Sequence, residues 1–121
     1  MEVIKAKPLT LADIVDAKDA KIQAVHVPEW GGDVFVRGMT GTERDAFESS
    51  MIAAKERSGG LPPNLRAMFL AHTLCNEDGS PLGIDAEVLG KKSGNVLDRI
   101  FKVAQTLNAL DKDATERLGN D

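Results

Sequence analysis

The chain has no tyrosine and a single tryptophan, Trp30, and aromatic residues make up only 4% of it. Its core must therefore rest mainly on Leu, Ile, Val, Met and Ala. Cysteine is nearly missing as well. Cys75 stands alone, which excludes an intramolecular disulfide and fits a reducing compartment. With His26 and His72 as the two histidines and Cys75 as the one cysteine, a closed four-ligand His/Cys zinc site cannot be completed. No apolar run approaches the roughly 20 residues of a membrane-spanning helix, and the N-terminus lacks the apolar centre of a secretory signal. Neither charge sign forms a long block. Fifteen basic and nineteen acidic residues leave a net charge of −4. Nothing there advertises the basic face that releases counterions from phosphates, so nucleic acid is not an expected partner. Together these absences lead to an expected cytosolic protein.

At 121 residues the chain is expected to form one domain. Residues 1–8 read as a flexible arm ending at Pro8. Thr10 can cap a short helix whose stripe is Leu11, Ile14 and Val15, with Asp13 in its first turn. Alternating apolar residues predict strands over Ile22–Val27 and Val34–Arg37, joined by a Pro- and Gly-rich loop. The hairpin therefore spans 22–37. A capping box, Thr40 with Glu43, predicts a helix from Gly41 to about Lys55. Its inner face would be Ala46, Phe47, Ser50, Met51 and Ala54, with Met39 stapled onto it. Glu56–Pro63 is a break. Asn64–Cys75 reads as a helix that is apolar almost all round, with Leu65, Met68, Phe69, His72 and Cys75 on one stripe. Asp85 can cap a short helical turn through Leu89. Ser93 can cap a long helix over 94–110, whose face is Val96, Leu97, Ile100, Val103, Ala104, Leu107 and Leu110. Asp98 and Lys102 form an i,i+4 pair on its other side. The helical region covers 41–110, and 111–121 is a polar tail with room for one helical turn through Leu118. The expected class is α+β and predominantly α-helical: an N-terminal β-hairpin packed on a small bundle of about four helices.

The chemical motifs are weak. His72 and Cys75 share a helical stripe, but no third ligand or orienting group accompanies them, so they read as core packing. Asn76, Asp78, Ser80 and Glu87 mimic part of a calcium loop, yet Pro81 occupies the position that normally needs Gly. Gly90-Lys91-Lys92-Ser93 resembles the end of a phosphate loop without its leading glycine, since Asp85 holds that place, and without a leading strand. The acidic residues Asp13, Asp16, Glu43, Asp45 and Glu48 suit helix starts and polar faces. No catalytic cluster, metal site or cofactor site emerges, and an enzyme is not expected. Trp30, at a Gly-flanked turn, either lids its own core or anchors a partner, since tryptophan is enriched among interface hot spots. Phe35 and Val36 pose the same question for the outer face of the hairpin. With Phe69 on the apolar helix, these four are the candidate partner-binding residues.

The order of these signals resembles the tail assembly chaperones of long-tailed, siphovirus-type bacteriophages. The resemblance rests on TLADIVDA at Thr10–Ala17, on the block VPEWGGDVFVRGMTGTERDAFE at Val27–Glu48, on LCNEDGSPL at Leu74–Leu82, and on the closing stretch from Asn95 to Leu118. It covers nearly the whole chain, and the Pro28–Glu48 block is its most specific part. The resemblance implies a non-enzymatic role. Such a chaperone binds the tape measure protein, keeps it soluble and supports tail tube assembly, acting in the host cytoplasm and leaving no copy in the mature virion. Many also have a frameshifted longer form whose extra domain engages the tail tube protein; this chain would be the shorter product or the shared N-terminal domain. Self-association is a further expectation. Two other classes remain open, a structural tail or head–tail joining protein and a small regulatory or nucleic-acid-associated protein.

Overall fold

A computed structural model describes residues 6–108. Thr10 opens the first helix, α1 (Leu11–Asp16), with a complete capping box to Asp13. The backbone N–H of Thr10 donates to the Asp13 carboxylate, and this bond holds that carboxyl below its usual pKa. Strands β1 (Ile22–Val27) and β2 (Gly32–Arg37) follow as an antiparallel hairpin. The second strand begins two residues earlier than its apolar pattern suggested. The tip is a 3₁₀ turn over Pro28–Trp30, closed by Gly31 at φ 80°, a left-handed conformation that suits glycine.

Cross-strand pairing sorts the hairpin into two faces. Val25 pairs with Val34 and Gln23 with Val36 on one side, Ala24 with Phe35 and His26 with Asp33 on the other. Val25, Val27 and Val36 are buried against the helices. Val36 therefore belongs to the inner face, which corrects its expected place on the outer one: residues two apart on a strand share a face, and Val34 and Val36 point together.

Helix α2 (Gly41–Ser58) has the predicted capping box, with Thr40 accepting from the Glu43 N–H. It runs three residues past Lys55 and stops at Gly59, whose φ of 77° and N–H bond to the Lys55 carbonyl end it. Phe47, Met51 and Ala54 face the core, Ser50 is half-buried, and Ala46 is exposed. Helix α3 (Leu65–Thr73) ends two residues before the expected Cys75. Leu74–Cys75 form a short strand, β3, paired antiparallel with Phe35–Val36, which extends the hairpin to three strands in the order β1-β2-β3. The unpaired backbone of β2 offered those two residues hydrogen bonds that continuing the helix would have left unused. The buried face of α3 is Ala67, Phe69, Leu70 and Thr73, whereas Leu65, Met68 and His72 are only half-buried. Periodicity could not select that face because apolar residues surround this helix.

Helix α4 (Ala86–Gly90) is capped by Asp85, which accepts from the Glu87 N–H. Helix α5 (Gly94–Leu107) starts where predicted, but the Ser93 side chain makes no capping bond. Val96, Leu97, Ile100 and Ala104 are buried, with Val103 and Leu107 partly so. The expected extension to Leu110, the turn through Leu118 and the first part of the arm lie outside the described residues.

The layers meet around Phe69, which is fully buried and makes edge-on ring contacts with Phe47 of α2 and Phe101 of α5, at centroid distances of 5.2 and 5.3 Å. With one ring drawn from each of three helices, this small aromatic complement is concentrated at the junction where it fixes their packing. The described residues thus form an α+β fold with a helical majority, a hairpin-based sheet packed on helices.

Candidate functional site

The hairpin tip is held by charge. Arg99 on α5 grips the Glu29 carboxylate through two hydrogen bonds of 2.8 and 2.6 Å. The Arg99 hydrogen bonds, aided by the positive charge behind them, hold the Glu29 carboxyl down to about 2. His26 lies 2.7 Å from Asp33 across the two strands. At the base of the hairpin Arg37, buried among its neighbours, makes a second two-point contact with Glu43, at 2.9 and 2.6 Å. Burial pulls the Glu43 carboxyl upward, but the Arg37 guanidinium and the Thr40 N–H outweigh it and keep the pKa below the ordinary value.

Between these anchors the sheet leaves an apolar hollow of about 270 Å³. Trp30 and Leu82 form its rim, Val34, Ile84 and Leu89 are among its walls, and Lys92 stands beside it. Trp30 is 39% exposed and Leu82 45%. Trp30 is therefore partly turned into the hollow, beside Val34 and Leu74, and partly open to solvent. The other three candidate partner-binding residues lie elsewhere. Phe35 is half-buried on the outer face of the sheet, opposite Cys75. Val36 and Phe69 are fully enclosed and present no surface to a partner in this fold.

Exposed aliphatic surface also occurs where periodicity alone could not locate it. Leu9, Leu11, Ile14 and Val15 are 61–79% exposed, and no residue of α1 is buried. The apolar faces of α3 and α5 are turned mainly into the core. The alternation of Leu82 and Ile84 after the Pro81 turn was the signal for the hollow's second wall, but a four-residue pattern in a loop does not reveal what it faces.

The weak motifs find structural roles. In the calcium-like loop the Asp78 carboxylate accepts from both the N–H and hydroxyl of Ser80, and the Asn76 amide donates to the Ser80 oxygens. Among the described residues no three His, Cys, Asp or Glu side chains gather as a metal site. A helix, α4, leads into Gly90–Ser93 where a phosphate loop needs a strand. His72 and Cys75 sit on different elements, and burial pushes the Cys75 thiol pKa up, away from nucleophilic reactivity. Among the described residues no helix is long and apolar enough to cross a membrane.

The described residues form a hairpin sheet with a third short strand, backed by helices, and this fold is similar to that of a solved phage tail assembly chaperone. One solved structure it matches is that of the bacteriophage HK97 tail assembly chaperone, with a TM-score of 0.54 over 80% of this chain and 91% of that one, at 24% identity. What the two chains share at that identity is the fold. No family model matches the sequence, and no curated protein matches it.

Proposed function

We propose that this protein is a non-enzymatic tail assembly chaperone of a long-tailed bacteriophage. The carrying observation is the fold it shares with the HK97 chaperone across most of both chains. In this reading the protein binds the tape measure protein, a long, helical and apolar-rich chain, and keeps it soluble until the tail tube polymerises around it. It works in the host cytoplasm, in association with other copies of itself, and is absent from the finished particle. A frameshifted longer form would bring the tail tube protein to the same complex.

The chemistry of the surface supports that role. A holding chaperone needs accessible apolar groups on an acidic body that resists aggregation. The net charge is −4, and the Trp30–Leu82 rim supplies aromatic and aliphatic contact area beside a polar border. An amphipathic client helix laid on that rim would place apolar anchors into the hollow. Mass analysis of purified virions tests the reading against a structural tail component: a chaperone is missing from the particle, and a stoichiometric amount of this chain there would overturn the proposal.

A further inference from the structure

The edge of a sheet is a row of backbone donors and acceptors that another strand can use. The chain itself closes one edge of this sheet. Beyond β3 it turns back on itself, and the Asn76 N–H donates to the Ser80 carbonyl at 2.8 Å and the Leu82 N–H to the Leu74 carbonyl at 3.1 Å. A bridge between Cys75 and Pro81 lies between those two bonds. The opposite edge belongs to β1, because the strand order is β1-β2-β3.

The register says which groups of β1 are left over. The Gly38 N–H donates to the Lys21 carbonyl at 3.0 Å, so Lys21 bonds inward, toward β2. Antiparallel bonding alternates along a strand, and Gln23, Val25 and Val27 therefore bond inward too. Ile22, Ala24 and His26 aim their N–H and C=O groups away from the sheet. Among the described residues none of these groups has a partner, and all three residues are exposed. β1 also lacks the devices that keep an edge single. It contains no Lys, Asp, Glu or Pro, and its six-residue register runs without a bulge. The chain enters it from the base of the hairpin, where Asp19–Lys21 lie beside Gly38–Gly41.

We propose that β1 of one copy pairs antiparallel with β1 of a second copy, about a two-fold axis at Ala24. Only another extended backbone satisfies such an edge, and among the described residues β1 is the one edge this chain leaves open, so its complement is the same edge of another copy. With the axis at Ala24, Ile22 of each copy lies opposite His26 of the other, and Ala24 opposite Ala24. Every outward N–H and C=O of the three residues then has a partner. Moving the register by two residues leaves a third of them unpaired within the strand. No like charges oppose each other, and the small Ala24 side chains meet at the axis. Ile22, 41% exposed in the single chain, gains His26 of the second copy as a cross-strand neighbour. The contact uses the same patch on both copies, so it closes as a dimer with one sheet running through it. A single strand pair is small beside the about 800 Å² per partner of a standard interface, and the dimer is expected to depend on concentration. This assigns a surface to the self-association in the chaperone reading, and it leaves the Trp30–Leu82 rim free for a client.

Sedimentation velocity, with light scattering coupled to gel filtration, tests this on the purified chain at concentrations up to about 1 mM. The wild type is expected to pass from the mass of one chain to that of two. Ala24→Pro removes an outward N–H and spares every bond to β2, so it is expected to stay monomeric with a wild-type far-UV circular dichroism spectrum. Ala24→Lys and Ala24→Glu put like charges on the axis without touching the core, since residue 24 is exposed. Each alone is expected to dimerise several-fold more weakly than the wild type, and an equimolar mixture of the two is expected to recover the dimer. That rescue belongs to a two-fold contact at this residue and does not follow from a merely structural role. A wild type that is monomeric at about 1 mM would overturn the proposal. So would an Ala24→Lys variant that dimerises like the wild type, or a mixture that pairs no better than its parts. A monomeric wild type whose melting temperature falls on Ala24→Pro would show the edge filled by its own chain. None of these outcomes involves the client, so failure here leaves the chaperone reading standing with a different surface for self-association.

Discussion

Asn108 shows how much one polar side chain organises. Buried at the end of α5, it accepts from the Met39 N–H at 2.7 Å and donates to the carbonyls of Arg37 and Ala104. It therefore ties the last helix to the segment that joins the hairpin to α2. Nothing in the sequence marks it, because an asparagine after a helix usually reads as a simple terminator. Asn108→Leu leaves the Met39 N–H and the Arg37 carbonyl without this partner, and such losses cost about 1–3 kcal/mol each. A lower urea midpoint with an unchanged denaturant slope is the expected outcome, and an unchanged midpoint would show that water replaces these bonds freely. Trp30 was legible as a question but not as an answer, since a turn residue can point either way. Its partial exposure predicts that Trp30→Ala stays folded by circular dichroism while losing the ability to keep a co-expressed client soluble.

The hairpin is the element read most fully from sequence, because alternation over six residues and a Pro-Gly loop leave few alternatives. The third strand was not legible. Leu74 and Cys75 continue an apolar run that suits a helix equally well, and only the free edge of β2 decides against it. The apolar stripe of α1 was legible while its exposure was not, since periodicity reports which residues share a face and not whether another element covers it. The tip makes a pH-dependent prediction. Glu29 has its pKa lowered from 4.5 to about 2 by Arg99. A depressed carboxylate stabilises the tip fully above its ordinary pKa, less as pH falls below it, and not at all once pH passes below the folded value. Emission from Trp30, next in the chain, is expected to hold steady from pH 7 to about 4.5 and to change as pH falls toward 2. Glu29→Gln should remove this transition while far-UV circular dichroism is unaffected at pH 7. Identical emission curves for the two proteins would show that the Arg99 contact does not hold the tip.

At the scale of the whole molecule, the α+β class with its helical majority followed from the order of caps, breaks and periodic stretches, which agree with one another along the chain. The partner-binding surface did not follow. Of the four candidates, Val36 and Phe69 fill the core, because large apolar residues are the natural choice both for interiors and for interfaces and composition cannot separate the two. In the described residues the sheet and helices close a small core and leave a rimmed hollow and an exposed amphipathic helix outside. The proposed function requires this surface to hold an apolar, helical tape measure protein in solution. The direct measurement is co-expression of that protein with and without this chain, followed by the fraction recovered in the soluble lysate and co-purified with it. The expected outcome is a several-fold rise in soluble tape measure protein and its recovery as a complex with this chain. Equal insolubility with and without the chain would contradict it.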